Sequence, residues 1–257
     1  MVVSNIFTKF VQNQNRQTMK NLKYIYKLNN TINVLNAKVS ANSKIGMGYI
    51  IQTYHFSVDQ VKEASLHKDE ASCLDCPLSF NQNNGKSGGC YTHKGMQLMG
   101  LKSMLRSLNR KFDTIKEYSE SDFLRFVETV KNTHKVDLVR FGAYGEPILL
   151  PLNVVNTLSQ LGVKTTGYTH QWNKPQYQDY NQFFMSSTHT ETERQNAKSL
   201  GFRSFFVSES IIKDFKQQNA VNCPASKESG KNLSCIACGL CNGAKRGNQK
   251  DVFIMKH

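Results

Sequence analysis

The stretch D-L-V-R-F-G-A-Y-G-E-P, residues 137–147, decides the fold. Its first part, residues 137–142, combines β-branched and aromatic side chains and predicts a strand. Its second part turns on two glycines, whose conformational freedom lets backbone groups face a small polar ligand. Pro151 and Gly162 then mark the beginning and the end of a helix. A strand that leads directly into a helix is half of a βαβ unit.

Five further segments have the same strand character. They are residues 48–56, 163–170, 182–188, 203–208 and 251–256. Capping boxes at Ser119 and Thr190, and an apolar face over residues 94–108, predict helices between the strands. We therefore predict an α/β fold, either a partial (β/α)6 barrel or an open parallel sheet. In both architectures functional side chains gather at the carboxyl ends of the strands.

The composition excludes several classes of protein. The chain has 257 residues, of which 39% are hydrophobic and 20% charged, so it can bury a core and is not a disordered acidic chain. No apolar run approaches the roughly 20 residues of a membrane-spanning helix. The N-terminus also lacks the apolar core of a signal peptide. The sequence thus predicts a cytoplasmic protein with no membrane partner.

The formal charge of +14 is unevenly distributed, because no Asp or Glu precedes Asp59. We predict a basic N-terminal extension over residues 1–43, with one or two short helices or strands, followed by a metal-binding α/β domain over residues 44–257. Such an extension could bind nucleic acid through its lysines and arginines. A solvated extension without a partner is the alternative.

Three of the seven cysteines lie in a polar, glycine-containing insert at residues 71–93. Cys73, Cys76 and Cys90 leave a fourth ligand position open, which suits either zinc with a bound water or a [4Fe–4S] cluster with one iron free of cysteine. His93 could close the site as a fourth ligand and make it a structural zinc site. An odd cysteine count without a secretion signal argues against disulfides.

The other four cysteines form a second group within residues 221–245. Cys223 precedes the run Cys235-Ile-Ala-Cys238-Gly-Leu-Cys241. Four thiolates are enough for a closed zinc site, and the tight spacing is equally typical of iron–sulfur ligation. The C-terminal segment is therefore predicted to be a cysteine-rich metal site, with zinc and iron–sulfur both open.

The turn Tyr144-Gly145-Glu146-Pro147 resembles the Gly-Gly-Glu-Pro motif of radical S-adenosylmethionine (SAM) enzymes, with Tyr144 in place of the first glycine. The resemblance covers about residues 46–257. It implies a (β/α)6 partial barrel, a [4Fe–4S] cluster on Cys73, Cys76 and Cys90, and SAM held beside Glu146. It also implies an auxiliary cluster on the C-terminal cysteines. The spacing C-x2-C-x13-C differs from that family's usual C-x3-C-x2-C.

The chain is also similar to a group of cysteine-rich bacteriophage proteins of no known activity. The similarity lies in G-Y-T-H-Q-W, residues 167–172, and C-P-A-S-K-E, residues 223–228. It implies a location in the host cytoplasm or in the virion.

Several other side chains are candidates for a site at the strand ends. We predict that His170 and Glu146 are catalytic, His170 as an acid, base or ligand. Trp172 could stack on an adenine ring, so we predict a cofactor-binding role for it beside Tyr144, Gly145 and Pro147. His55 ends the first strand, and Lys102, Arg106 and Arg110 share one helix face. The competing hypothesis is a zinc-stabilised nucleic-acid-binding or virion protein without catalysis.

Overall fold

The computed structural model describes residues 21–208, 219–244 and 250–255, and confirms the α/β class. The strands are β1 Leu22–Leu28, β2 Thr31–Ser40, β3 Gly48–Ser57, β4 Leu138–Tyr144, β5 Lys164–Thr166, β6 Tyr168–Thr169, β7 Met185–Thr188, β8 Ser204–Ser208, β9 Ala220–Asn222 and β10 Asp251–Met255. The helices are α1 Val58–Glu63, α2 Glu70–Cys73, α3 Gly95–Asn109, α4 Glu120–Thr133, α5 Leu152–Leu161, α6 Glu191–Ser199 and α7 Cys235–Cys238.

The strands form two five-stranded sheets. The first has the order β1-β2-β3-β4-β5, in which β1, β2 and β3 are antiparallel neighbours and β3, β4 and β5 are parallel. The second has the order β6-β7-β8-β10-β9 and is parallel throughout. No closed barrel is formed by the described strands. The two sheets meet at Gly167, the one residue between β5 and β6.

The side of the first sheet that faces α4 and α5 carries the main apolar core. Val139 and Phe141 of β4 pack there with Phe123 and Val127 of α4 and Val154 of α5. These side chains alternate along β4 with Leu138 and Arg140, which point to the opposite side, as the two-residue period of a strand requires. We call this opposite side the inner face.

The predicted elements are largely present. Strands overlap each of the six predicted segments, and Gly167 divides the segment 163–170 into β5 and β6. Thr190 and Glu193 form a complete capping box at the beginning of α6. Within the predicted extension, residues 22–28 form β1 and residues 31–40 form β2; β1 pairs with β2, and β2 pairs with β3. Residues 1–20 lie outside the described part of the chain.

The parallel strands of the first sheet end on the same side of the sheet. The carboxyl ends of β3 and β4 lead respectively into the insert that holds the first three cysteines and into the Gly-Glu-Pro turn. The short strand β6 ends beside them at Thr169. The described part of the chain contains no helix long and apolar enough to cross a membrane.

Candidate metal centre

The turn after β4 is held against the cysteine insert by a close backbone approach. Gly145 has a φ of +75°, and a Cβ at this position would lie 2.6 Å from the carbonyl oxygen of His55 and 2.9 Å from that of Ser72. The next residue, Glu146, donates its backbone N–H to the same Ser72 oxygen at 2.8 Å. Glycine is therefore required at position 145 by both space and conformation.

The Glu146 carboxylate is buried and receives three hydrogen bonds from the end of β6. Thr169 Oγ1 donates to Oε2 at 2.7 Å. The backbone N–H of His170 is 3.2 Å from Oε1, and Nδ1 of the same residue is 3.0 Å from Oε1. The same backbone N–H also lies 3.3 Å from Oε2 and is shared by the two oxygens. Oε2 therefore accepts one short hydrogen bond and is the oxygen that can also accept from a ligand or bind a metal ion.

Cys76 completes a set of three donors with Glu146 and His170. One ligand atom from each residue lies within 4.8 Å of the other two. Burial alone would lower the pKa of His170, but its hydrogen bonds to Cys76 and Glu146 outweigh burial and raise the pKa to about 10. The set combines sulfur, oxygen and nitrogen donors with mixed burial. It is a possible site for one metal ion with an open coordination position.

Cys73 and Cys90 are neighbours of this set. Burial raises the pKa of the Cys73 thiol well above its usual range, and Asp69, Cys76 and Cys90 raise it further. The three thiols are thus close enough to influence one another electrostatically. Among the described residues, however, no three sulfurs lie within 4.8 Å of one another. The cysteine insert therefore brings the predicted ligands together without gathering them around one point.

A buried amide fixes the insert beneath the site. Gln60 of α1 accepts a hydrogen bond from Ser72 Oγ at 2.8 Å. Its Nε2 donates to the carbonyl oxygen of Leu66 and to Tyr144 Oη, at 2.8 and 2.7 Å. The side chain also closes the capping box of α1 with Ser57. Gln60 therefore links α1, α2 and the end of β4 at one point.

A second histidine extends the site toward β7. His189 follows that strand, and its ring stacks on the ring of His170 with centroids 5.6 Å apart. The two Nε2 atoms are 3.4 Å apart. His189 thus stands one side chain away from the Cys76, Glu146 and His170 set.

The C-terminal cysteines form a separate group. Burial raises the pKa of Cys241 to about 12, and the charges of Cys223, Cys235 and Cys238 add to the effect. The backbone N–H of Cys235 donates to Lys44 at 2.9 Å, just before β3, and Gly167 donates to Cys241 at 3.3 Å. The four predicted ligands are therefore close enough to influence one another electrostatically, but among the described residues no three of these sulfurs lie within 4.8 Å of one another.

The other predicted residues have different surroundings. Tyr144 is buried, and its ring is tilted against that of Phe56 with the centroids 5.0 Å apart. Pro147 begins a 3₁₀ turn. Trp172 is buried in a separate cluster with Ala197 and Phe202.

The two remaining histidine candidates also lie apart from the donor set. His93 stacks on Phe80 and hydrogen-bonds Ser87. His55 is fully buried between Thr53 and Asn33, and burial lowers its pKa to about 3. These ring contacts and hydrogen bonds hold both histidine rings within the fold.

Sequence reasoning missed Gln60 and Ser72. The signal for Gln60 was available, because Ser57-Val-Asp-Gln60 is a capping-box pattern. Nothing in the sequence around Ser72 indicates that its carbonyl oxygen would meet Glu146.

Comparison of the chain with protein-family models, with curated proteins and with solved structures finds no match. The interpretation of this site therefore rests on its residues and their geometry.

Proposed function

We propose that the chain is a metal-dependent enzyme of the radical SAM type. The observation that carries the proposal is the position of Glu146, which lies beside Cys76 where the turn after β4 meets the cysteine insert after β3. In this reading Cys73, Cys76 and Cys90 hold a [4Fe–4S] cluster, and Glu146 holds the amino group of SAM. Thiolate sulfurs are the donors that such a cluster requires.

The strand order supports the same reading. If β5 and β6 are one strand interrupted at Gly167, then β3, β4, β5/β6, β7, β8 and β10 are parallel neighbours in sequence order. Six such strands make an open partial (β/α)6 barrel. The candidate site then lies at the carboxyl ends of its strands, where α/β enzymes place their functional groups.

The side chains at this site have different roles in the proposal. Oε2 of Glu146 accepts one short hydrogen bond, from Thr169, and shares the His170 N–H with Oε1, so it can also accept from a ligand ammonium group. Thr169 and His170 hold the carboxylate in place. When bound, the cluster would supply the electron that cleaves the sulfonium of SAM. Gln60 keeps the cysteine insert in register with β4 through Ser72 and Tyr144.

A second candidate function is single-metal chemistry. Cys76, Glu146 and His170 already lie within 4.8 Å of one another, as ligands of one zinc ion would. A zinc-bound water in the open position would act as a nucleophile near neutral pH. His189, beside His170, could then move a proton. The C-terminal cysteine group would hold a structural zinc ion in this case.

Metal analysis of the full chain, purified anaerobically and reconstituted with iron and sulfide, separates the candidates. The proposal expects about four iron and four sulfide at the insert, a broad visible absorption, and release of 5′-deoxyadenosine from SAM under reduction. Cys73→Ala should abolish the cleavage. Cys238→Ala is the matched control, because it removes one thiol from the C-terminal group and should leave SAM cleavage measurable.

Glu146→Gln separates SAM binding from cluster assembly, since it keeps the shape of the side chain and removes its charge. We expect it to retain iron and to weaken SAM binding by tenfold or more, about 1.4 kcal/mol. The single-metal proposal would replace the radical SAM proposal if the protein were colourless and bound one zinc ion that is lost in both Cys76→Ala and His170→Ala. Zinc at both groups and no turnover would favour the nucleic-acid-binding or virion alternative.

A further inference from the structure

A row of polar side chains crosses the inner face of the first sheet. The strand register pairs Lys23 with Asn36, Asn36 with Gln52, Gln52 with Arg140, and Arg140 with Thr166. Directly paired residues project to the same side of a sheet. The side facing α4 and α5 is apolar at the same level, with Ala37, Ile51 and Val139.

Three cations lie in this row or next to it: Lys23, Arg140 and Lys38. Lys38 lies two residues after Asn36 and so shares its face with Lys23 and Arg140. None of the three forms an ion pair with an Asp or Glu of the described chain. Burial lowers the pKa of Lys38, and the charges of Lys23 and Arg140 lower it further. Lys38 is therefore repelled by the other two cations, and an anion beside it would relieve that repulsion.

Aromatic side chains accompany the cations. Arg140 donates from Nη2 to the hydroxyl of Tyr91 at 2.7 Å, and its guanidinium carbon lies 5.9 Å from the centre of that ring. Tyr91 is 50% exposed. The hydroxyl groups of Tyr54 and Tyr168 also act electrostatically on Arg140. The thiol of Cys235 acts on Arg140 in the same way. The inner face thus combines positive charge that has no Asp or Glu partner in the described chain with an exposed ring that can stack on a flat ligand.

The cations are too widely spaced for one small anion. Lys23 is on β1 and Arg140 on β4, which are three strand spacings apart, or about 14 Å. An extended polyanion can contact both ends of the row at once. Unpaired bases can stack on tyrosine while their phosphates meet the cations, which is how single strands bind without sequence preference.

We propose that the inner face, with Lys23, Lys38 and Arg140, binds a segment of single-stranded nucleic acid. The binding goes beyond the proposed function and does not require a metal ion. That this strand is the substrate rests on the proposed function. It is supported by Tyr91, which follows Cys90 directly and so links the inner face to the candidate centre.

The test is fluorescence anisotropy with a labelled oligothymidylate and the full chain, without SAM or reductant. Three phosphate contacts predict that log K falls with log salt concentration with a slope of about −2. In the double variant Lys23→Gln/Lys38→Gln one contact remains, so the slope should approach about −0.7. Lys23 is exposed and Lys38 is half-buried. Thermal unfolding checks that the double variant and its control are folded.

Lys102→Gln/Arg106→Gln is the matched control. It removes the same charge from an exposed face of α3, and its slope should equal that of the unmodified chain. Equal slopes for the double variant and the control would overturn the proposal, because binding would then lie elsewhere, for example on residues 1–20. Absence of oligothymidylate binding would also overturn it. The proposal would also be overturned if the chain bound polyglutamate more tightly than oligothymidylate and the same double variant weakened that binding. The inner face would then be assigned to an acidic peptide.

Neither failure depends on the candidate metal centre. SAM cleavage with no oligonucleotide binding would leave the proposed function standing and remove this one. Binding without SAM cleavage would do the reverse.

Discussion

Gly145→Ala should be one of the most damaging single-methyl changes in this chain. At φ +75° an alanine costs about 1–2 kcal/mol of conformational strain. Its Cβ would also lie 2.6 Å from the His55 carbonyl oxygen and 2.9 Å from that of Ser72, and both are backbone atoms that cannot rotate away. Such overpacking adds about 1–3 kcal/mol. We therefore expect a total loss of about 2–5 kcal/mol in the free energy of unfolding.

Gly85→Ala is the control for this substitution. Gly85 has almost the same φ, +77°, but no atom lies within 4 Å of the position its Cβ would take. It should cost the conformational strain alone, about 1–2 kcal/mol. Urea unfolding at neutral pH measures both. Equal losses for Gly145→Ala and Gly85→Ala would refute the reasoning, because the close approach to His55 and Ser72 would then carry no energy.

Two further predictions concern buried polar groups. His55 has a pKa of about 3 in the folded chain against about 6.5 unfolded. Stability should therefore fall as the pH drops below about 6.5, by up to about 1.4 kcal/mol per pH unit from this group, and urea unfolding between pH 7 and pH 5 should show a shallower loss in His55→Gln. Gln60→Leu leaves the buried Ser72 and Tyr144 hydroxyls without their partner, so it should lower the free energy of unfolding by about 2–4 kcal/mol and reduce metal loading, whereas an exposed substitution such as Gln97→Leu should do neither.

The strands could be predicted because most of them have a similar composition. Segments such as residues 48–56 and 203–208 are rich in β-branched or aromatic residues, and this pattern depends only on neighbours in sequence. Strands β1 and β2 were harder to place. Their residues lie in a Lys- and Asn-rich stretch, and the apolar positions that matter, such as Tyr26 and Leu35, gain their meaning only when β2 pairs with β3.

The two cysteine groups could be recognised because C-x-x-C spacing without a secretion signal is typical of metal or redox sites, and their binding of a metal stays a prediction. The donor set Cys76, Glu146 and His170 could not be predicted as a set. Its members are 70 and 24 residues apart in sequence, and what joins them is the meeting of three strand ends. Trp172, two positions from His170, is also predicted to bind a cofactor; it packs against Ala197 of α6 and Phe202, and its role stays a prediction.

The inner face explains why the positive charge of this chain is more than a property of its N-terminus. On one side of the polar row the inner face is apolar and packs against α3, through Ile32 and Phe56. On the other side Ile50 and Leu138 pack against Cys235 and Ile236. Here Asn36 and Gln52 form a buried floor, and Lys23, Lys38 and Arg140 rise from it without acidic partners in the described chain. Like charges held together destabilise the fold unless an anion binds between them. The polyanion that we propose for the inner face would offset this repulsion beside the candidate centre.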